Sequence, residues 1–380
     1  MTSFTLTNAQ IVLPDRVLNG TVEVRDGKIT AIGEGTSQAP DAEDFDGDYL
    51  IPGLVELHTD NLEKHVTPRP KVKWPTASAL VIHDAQVSAA GITTVLDAVS
   101  VGGTIVGDIR DDIVFESSDA IKQMRNDNLL RADHHLHIRC ELSNENAIRV
   151  YEPFNGDPMV KLVSLMDHTP GQRQFADVSK LRDYYQGKHG MSDEDFDAMC
   201  EERRQDQKLY SDKHRQLIVE MATSAGHTLA SHDDSTVEHV DEAISFGVKI
   251  SEFPTTLEAA KAAAENGMKT IGGGPNLVRG GSHSGNIAVG DLAEAGVLHA
   301  LSSDYVPASL LHGAFTLNDR HGISLPAAIA CVSSTPANMI GLEDRGEISE
   351  GKRADLIRVR RLSDGTPVVR RTWSEGRAVS

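Results

Sequence analysis

Short apolar segments alternate with helical segments through the middle of the chain, and this alternation limits the possible folds more than any other feature. The segments predicted as strands are residues 54–60, 91–99, 133–142, 160–168, 228–234, 249–254, 269–276 and 297–305. Strands that alternate with helices form parallel sheets of the α/β class. Eight such strands are the number that closes a (β/α)8 barrel. The sequence therefore predicts an α/β fold with a barrel over residues 51–344.

Both ends of the chain carry strand patterns of a different kind. Residues 1–50 contain partly alternating segments and the hairpin dipeptide Asp26-Gly27, and residues 345–380 contain further strand segments. Neither end has enough strands for a stable sheet of its own. We therefore expect the two ends to pair into one small composite β-sandwich, with the barrel inserted between its halves.

One connection is longer than an ordinary barrel loop. Residues 176–225 form a charged helical insertion between the predicted fourth and fifth strands. Such a segment either closes over an active site as a lid or makes the contact of a homo-oligomer. The sequence leaves both interpretations open.

Net charge and cysteine usage limit the partners and the compartment. The 37 basic and 56 acidic residues give a net charge of −19, which repels nucleic acid and anionic membranes. No apolar run approaches the roughly 20 residues that span a bilayer, and the first residues lack the pattern of a signal peptide. The three cysteines, Cys140, Cys200 and Cys331, form no CxxC pair. These features predict a cytoplasmic protein that binds neither nucleic acid nor membranes.

Candidate metal ligands recur where the predicted strands end. The carboxyl ends of barrel strands surround one active site, so side chains at these positions converge. Imidazole and carboxylate ligands without thiolate suit Zn²⁺ first, with Mn²⁺, Fe²⁺ or Mg²⁺ as alternatives. We predict a binuclear divalent-metal centre in which Glu141 bridges the two metals and Asp304 also acts as general base. The candidate ligands are His58, Asp60, Glu141, His168, His232 and Asp304. The alternative is a polar barrel mouth that binds its ligand without metal.

Basic residues collect in the loops that follow three of the same strands. The loop from Glu63 to Lys73 is rich in Lys, Arg and Pro, and the loop after the seventh strand combines glycines with hydroxyls. Exposed backbone N–H groups and arginines are what a phosphate site requires. The candidate substrate-binding residues are Lys64, Arg69, Arg173, Arg279, Ser282 and His283. In a chain of net negative charge, they predict a small polyphosphorylated substrate, while solvated loops without a ligand are the alternative.

Two motifs together resemble the amidohydrolase superfamily, metal-dependent (β/α)8 hydrolases that carry a composite β-sandwich. The motifs are Ile51-Pro52-Gly53-Leu54-Val55-Glu56-Leu57-His58 and Gly346-x-Ile348-x-x-Gly351-x-x-Ala354-Asp355-Leu356. Longer blocks resemble one subfamily, the diphosphatases of the carbon–phosphorus lyase pathway. They include His58-Thr59-Asp60-Asn61-Leu62-Glu63-Lys64, Pro170-Gly171-Gln172-Arg173-Gln174-Phe175, Arg279-Gly280-Gly281-Ser282-His283-Ser284 and Ser302-Ser303-Asp304-Tyr305.

The resemblance implies a specific reaction. It is the hydrolysis of α-D-ribose 1-methylphosphonate 5-triphosphate to the 5-phosphate and pyrophosphate, a step in phosphonate catabolism, with Asp304 at the superfamily's catalytic position. The chain departs from the superfamily at His58-x-Asp60, where a second His is usual, and at the sixth strand, where Glu252 replaces a His and is kept as a reserve ligand. A cyclic-amide hydrolase or deaminase and a non-catalytic scaffold subunit are the alternative functions.

Overall fold

The computed structural model describes residues 3–69, 72–102, 110–173, 178–189, 191–282 and 285–380. Of the predicted site residues, His283 lies outside the described residues.

Strands occupy both ends of the chain and alternate with helices between them. They are β1 (Ser3–Val12), β2 (Val17–Arg25), β3 (Lys28–Glu34), β4 (Ala42–Asp44), β5 (Tyr49–Pro52), β6 (Leu54–Thr59), β7 (Ile92–Val101), β8 (Asp133–Glu141), β9 (Val160–Met166), β10 (Thr228–His232), β11 (Ile250–Glu252), β12 (Lys269–Gly273), β13 (Ala300–Ser302), β14 (Leu356–Arg361), β15 (Pro367–Ser374) and β16 (Arg377–Ala378).

The helices lie mainly between the central strands. They are α1 (Asn61–Val66), α2 (Thr76–Ala89), α3 (Arg110–Asn126), α4 (Ala147–Tyr151), α5 (Val178–His189), α6 (Asp193–Ser224), α7 (Val237–Ser245), α8 (Leu257–Glu265), α9 (Gly274–Arg279), α10 (Val289–Glu294), α11 (Ser309–His321), α12 (Leu325–Ala330) and α13 (Ser334–Met339). A short 3₁₀ helix, Glu152–Phe154, follows α4. None of the described helices is both long enough and apolar enough to cross a membrane.

The strands β6 to β13 form the predicted barrel. Within the described residues they make one eight-stranded parallel sheet in which each strand pairs with the next along the chain. The barrel closes between its first and last strands, where the N–H of Asp304 donates to the carbonyl of His58 and the N–H of Asp60 donates to the carbonyl of Asp304, both at 3.1 Å. Glu56, fully buried, accepts hydrogen bonds from the backbone N–H of His58 and of Ser303 across the same seam. The (β/α)8 prediction is confirmed.

The two chain ends form one mixed sheet, in the order β16-β15-β14-β5-β1-β2-β3, with β4 beside β1. Trp373 of β15 stacks on Phe4 and Phe45, with ring centroids 6.1 Å and 6.2 Å apart, so residues from opposite ends share one apolar cluster. The composite unit is therefore confirmed as part of the fold. The division of the chain at residues 50/51 and 344/345 stays a prediction.

The predicted insertion consists of α5 and α6. Along α6, His214 Nδ1 donates to the carbonyl of Leu142 at 3.0 Å, and Gln207 Nε2 donates to Asp167 Oδ2 at 2.6 Å. These contacts fix α6 to the loops that follow β8 and β9, which are loops of the barrel mouth. Whether the insertion acts as a lid or as an oligomer contact stays a prediction.

A buried charged network lies between the barrel wall and α2. Asp97 accepts from His83 Nε2 at 2.6 Å and from His134 Nδ1 at 2.7 Å, and His134 Nε2 lies 3.3 Å from Asp84 Oδ1. Burial alone would lower the pKa of His134, but the carboxylates of Asp97 and Asp84 outweigh it and raise that pKa to about 9. His134 is therefore positively charged at neutral pH.

Because of this network, we expect the stability of the fold to fall as the pH becomes alkaline. A group whose pKa is raised on folding stabilises the protein fully below its unfolded value, here 6.5, and loses that contribution as the pH rises through the folded value. We expect the free energy of unfolding to fall by about 3 kcal/mol more in the native chain than in His134→Gln between pH 6.5 and 9. Urea denaturation at several pH values measures this difference. Parallel pH curves for the two proteins would contradict it.

Candidate metal centre

Three histidines at the carboxyl ends of the strands are held in the same manner. His58 ends β6, His232 ends β10, and His168 lies just beyond β9. Each uses Nδ1 to contact a buried carboxylate: His58 and His232 contact the two oxygens of Glu252 at 2.7 Å and 2.8 Å, and His168 contacts Glu141 at 2.7 Å. A histidine that ligates a metal usually donates its second ring nitrogen to a carboxylate in this way. With Nδ1 engaged in this way, Nε2 is the nitrogen through which each ring could bind a metal.

Carboxylates lie on the Nε2 side of these rings and form two candidate groups. In the first, ligand atoms of His58, Asp60 and Asp304 lie within 4.8 Å of one another, and in the second the same holds for His168, His232 and Asp233. The rings of His58 and His232 stack with centroids 5.7 Å apart, so the two groups adjoin. Two neighbouring sites of this composition suit a binuclear centre.

The residues present fit divalent metal ions. Asp233 Oδ2 is buried and has no hydrogen-bond partner among the described residues, although it lies 3.4 Å from His232 Nε2 and 3.8 Å from His168 Nε2. A carboxylate oxygen left unpaired between two imidazoles is costly unless a cation binds there. Burial alone would lower the pKa of His58, but the Glu252 carboxylate outweighs it and raises that pKa to about 10, which shows that the local field favours a positive charge.

Two of the candidate ligands and one residue beside them have left-handed backbone angles. They are Asp233, Phe253 and Asp304, with φ of 56°, 55° and 52°. Such angles cost energy in a bulky residue such as Phe and tend to persist at functional sites. The Phe253 ring packs against His58 and His232, with centroids 5.1 Å and 5.6 Å away, and so helps to fix both imidazoles.

Asp60 and Asp304 have opposite tendencies to bind a proton. Burial alone would raise the pKa of Asp60, but the Arg139 guanidinium and His58 outweigh it and hold that pKa below its ordinary value. Burial, followed by the negative charge of Asp60, raises the pKa of Asp304. Two carboxylates with diverging pKa values allow one to stay ionised while the other exchanges a proton.

Glu141 is the predicted ligand that the structure places differently. Its carboxylate accepts from the N–H and Nδ1 of His168 at 3.1 Å and 2.7 Å and from Ser143 Oγ at 2.9 Å. Through these three contacts Glu141 lies behind the imidazole and orients His168. Its role as a bridge between two metals stays a prediction. Glu252, predicted as a reserve ligand, has the same orienting position for His58 and His232.

The predicted phosphate-binding residues do not share one environment. Lys64, Arg69 and Arg279 are exposed, and Ser282 is partly exposed. Arg173 is buried; its Nη1 donates to Asp234 Oδ1 at 2.6 Å and to the carbonyl of His232 at 2.9 Å. These contacts of Arg173 brace the end of β10. Its role in phosphate binding stays a prediction.

Two residues near the ligands were missed by the sequence reasoning. Asp233 follows His232 directly, and Arg139 lies two residues before Glu141 on β8. Residues two apart on a strand share a face, so the inward position of Arg139 could have been inferred from that of Glu141. No comparable sequence signal selects Asp233 over Asp234, because only the left-handed turn at Asp233 decides which carboxylate reaches the imidazoles.

Comparison with known proteins identifies a matching family and a relative that aligns with this chain over nearly its full length. The model of the amidohydrolase family matches residues 204–380. Over 376 residues, the chain is 45% identical to the alpha-D-ribose 1-methylphosphonate 5-triphosphate diphosphatase of Escherichia coli strain K12, and the match covers 98% of this chain and 99% of that enzyme.

Solved structures resemble the whole chain at much lower identity. The N-acetylglucosamine-6-phosphate deacetylase of Pasteurella multocida superimposes with a TM-score of 0.66 at 14% identity, covering 99% of each chain. The 5-methylcytosine deaminase of Klebsiella pneumoniae has a TM-score of 0.66 at 15% identity, covering 99% of this chain and 98% of that one. At these identities the likeness establishes the fold alone.

Proposed function

The chain belongs to the amidohydrolase family, and we propose that it hydrolyses alpha-D-ribose 1-methylphosphonate 5-triphosphate to the corresponding 5-phosphate and pyrophosphate. The observation that carries the proposal is the 45% identity to the Escherichia coli diphosphatase over nearly the full length of both chains. The imidazole and carboxylate groups at the barrel mouth supply the chemistry that such a hydrolysis requires.

Two groups of residues would hold the metal ions. His58, Asp60 and Asp304 would hold one ion, and His168, His232 and Asp233 would hold the other. Divalent ions bound there supply Lewis-acid stabilisation of phosphoryl oxygens and make water more acidic. Zinc fits the ligand set best, and manganese, iron or magnesium are the other candidates.

Asp304 has the proton-transfer role in the proposed reaction. Its carboxylate lies beside His58 and Asp60, and its raised pKa suits a group that accepts a proton from the attacking water. Asp60 stays ionised beside Arg139 and so keeps its negative charge for the metal. The differing environments of two neighbouring carboxylates divide these roles.

Basic side chains around the mouth would bind the triphosphate. Lys64 Nζ donates to the carbonyl of Tyr305 at 2.6 Å, which holds this ammonium at the residue after Asp304. Arg69 is exposed in the loop after α1, and Arg279 is exposed at the end of α9, with Ser282 close to it in sequence. His283 completes this set by its sequence position. Together they would neutralise the substrate and the departing pyrophosphate.

The two alternative functions have less support. Chelating side chains lie at or just beyond the carboxyl ends of β6, β9, β10 and β13, whereas a scaffold subunit that had lost its metals would have gaps there. A cyclic-amide hydrolase or deaminase would leave the basic loops without a ligand, and the likeness to a deaminase concerns the fold alone.

A ³¹P NMR time course with metal-loaded protein tests the proposal. With alpha-D-ribose 1-methylphosphonate 5-triphosphate as substrate, we expect pyrophosphate to appear while the phosphonate signal persists, because hydrolysis breaks a phosphoric anhydride bond and leaves the C–P bond intact. A nucleoside triphosphate and a dihydropyrimidine amide are the parallel controls. Absence of pyrophosphate at full metal occupancy would refute the assignment, and hydrolysis of the amide would favour the cyclic-amide alternative.

A further inference from the structure

Arg139 lies inside the metal centre, although it belongs to neither ligand group. It extends from β8 between the inward positions of His137 and Glu141, and only 13% of its side chain is exposed. Its Nη1 donates to Asp60 Oδ1 at 2.7 Å. This places a permanent positive charge next to a candidate ligand of the first metal.

The contacts of Arg139 leave part of its guanidinium group without a partner among the described residues. Its Nε is buried and has no hydrogen-bond partner among the described residues. By comparison, Arg345, which contacts the amino-terminal parts of β7 and β8, donates to Asp133, Asp344 and Thr94. A buried guanidinium with donor capacity to spare implies a further acceptor that binds beside it, because an unmet buried donor is costly.

The charges around Asp60 indicate which kind of acceptor fits. Asp60 Oδ1 lies 2.7 Å from Arg139 Nη1 and 3.6 Å from His58 Nε2, so one carboxylate oxygen faces both the guanidinium and the metal-facing nitrogen. With a divalent ion in the first group, the two carboxylates of that group, Asp60 and Asp304, would face three positive charges, two on the ion and one on Arg139. An anionic oxygen that contacts both cations relieves this excess, whereas the neutral oxygen of an amide does so only weakly.

We propose that Arg139 is a specificity-determining residue that binds a non-bridging oxygen of the substrate's polyphosphate tail and so selects phosphoryl over amide substrates. This proposal rests on the proposed function for its substrate class. It accounts for the pairing of Arg139 with Asp60, since the ion pair holds the guanidinium in place for the incoming phosphoryl group.

Calorimetric titration with inorganic tripolyphosphate tests this role without requiring turnover. Metal-loaded native protein, Arg139→Gln and Arg139→Lys are compared, with the metal content of each measured before and after titration. Arg16→Gln is the matched control, since Arg16 is an exposed arginine in the turn between β1 and β2 that pairs with Asp15. We expect Arg139→Gln to bind tripolyphosphate about 10- to 100-fold more weakly at unchanged metal content, and Arg139→Lys to have intermediate affinity.

Two results would overturn the proposal. One is an unchanged affinity of Arg139→Gln for tripolyphosphate. The other is an affinity that falls only in proportion to the metal lost, which would mean that Arg139 only positions Asp60 as a metal ligand. Arg139→Lys, which keeps the charge, decides the question if Arg139→Gln does not fold. Native protein that binds tripolyphosphate through Arg139 but releases no pyrophosphate would refute the proposed function and leave this inference standing.

Discussion

Asp304→Asn is expected to lower kcat for pyrophosphate release by about 10²- to 10⁴-fold, the usual contribution of a general acid–base group. Asparagine keeps the shape of the side chain, but its neutral amide group cannot act as a base. The effect should be large because the environment of Asp304 is specialised: burial and the nearby charge of Asp60 raise its pKa. Most of the metal should stay bound, because His58 and Asp60 of the same group are unchanged.

Steady-state pyrophosphate release and metal analysis of the purified variant measure the two parts of this prediction. The matched control is Asp291→Asn, which changes an exposed aspartate of α10 and should leave both quantities unaltered. Activity close to that of the native chain in Asp304→Asn would remove Asp304 from the mechanism. Activity lost together with all metal would instead make Asp304 chiefly a ligand.

His168→Ala is expected to remove about one metal equivalent per chain and to abolish turnover, since the second group would keep only His232 and Asp233. Glu141→Gln should have a smaller effect, weakening metal binding by about 10- to 100-fold, because the structure places Glu141 behind the imidazole as an orienting carboxylate. Metal titration after chelation measures both affinities.

The two variants also test whether Glu141 is a ligand. If Glu141 bridged two metals, Glu141→Gln would lose as much metal as His168→Ala. His321→Ala is the control, because His321 pairs with Glu294 at 3.0 Å in an analogous histidine–carboxylate contact on the outer helices. It should retain the native metal content.

The architecture could be predicted from the sequence to a large extent. The apolar runs predicted the positions of the eight barrel strands to within a few residues, and polar side chains lie at or after the ends of β6, β8, β9, β10 and β13. Predicted strands were too long at their ends, as at β9, which stops at Met166, because Asp167 and His168 turn out of the sheet to reach the site. The pairing of the two chain ends followed from strand number alone.

The division of roles within the site could not be predicted in the same way. Glu141 and Asp233 are both acidic residues at strand ends, yet one lies behind His168 and the other faces its Nε2. Arg173 and Arg139 are both basic residues near the mouth, yet Arg173 is committed to Asp234, while Arg139 pairs with Asp60. Residue type does not distinguish the members of either pair.

The sequence by itself determined the fold class, the mouth of the barrel as the candidate site and the set of imidazoles and carboxylates that could hold metal ions there. Local hydrophobic patterns and the parallel topology are sufficient for these, because they depend on short-range periodicity. Only the tertiary structure decided which ring nitrogen faces inward and which carboxylate lies behind it. That choice depends on contacts such as His58 with Glu252, 194 residues apart, and on left-handed turns such as the one at Asp233.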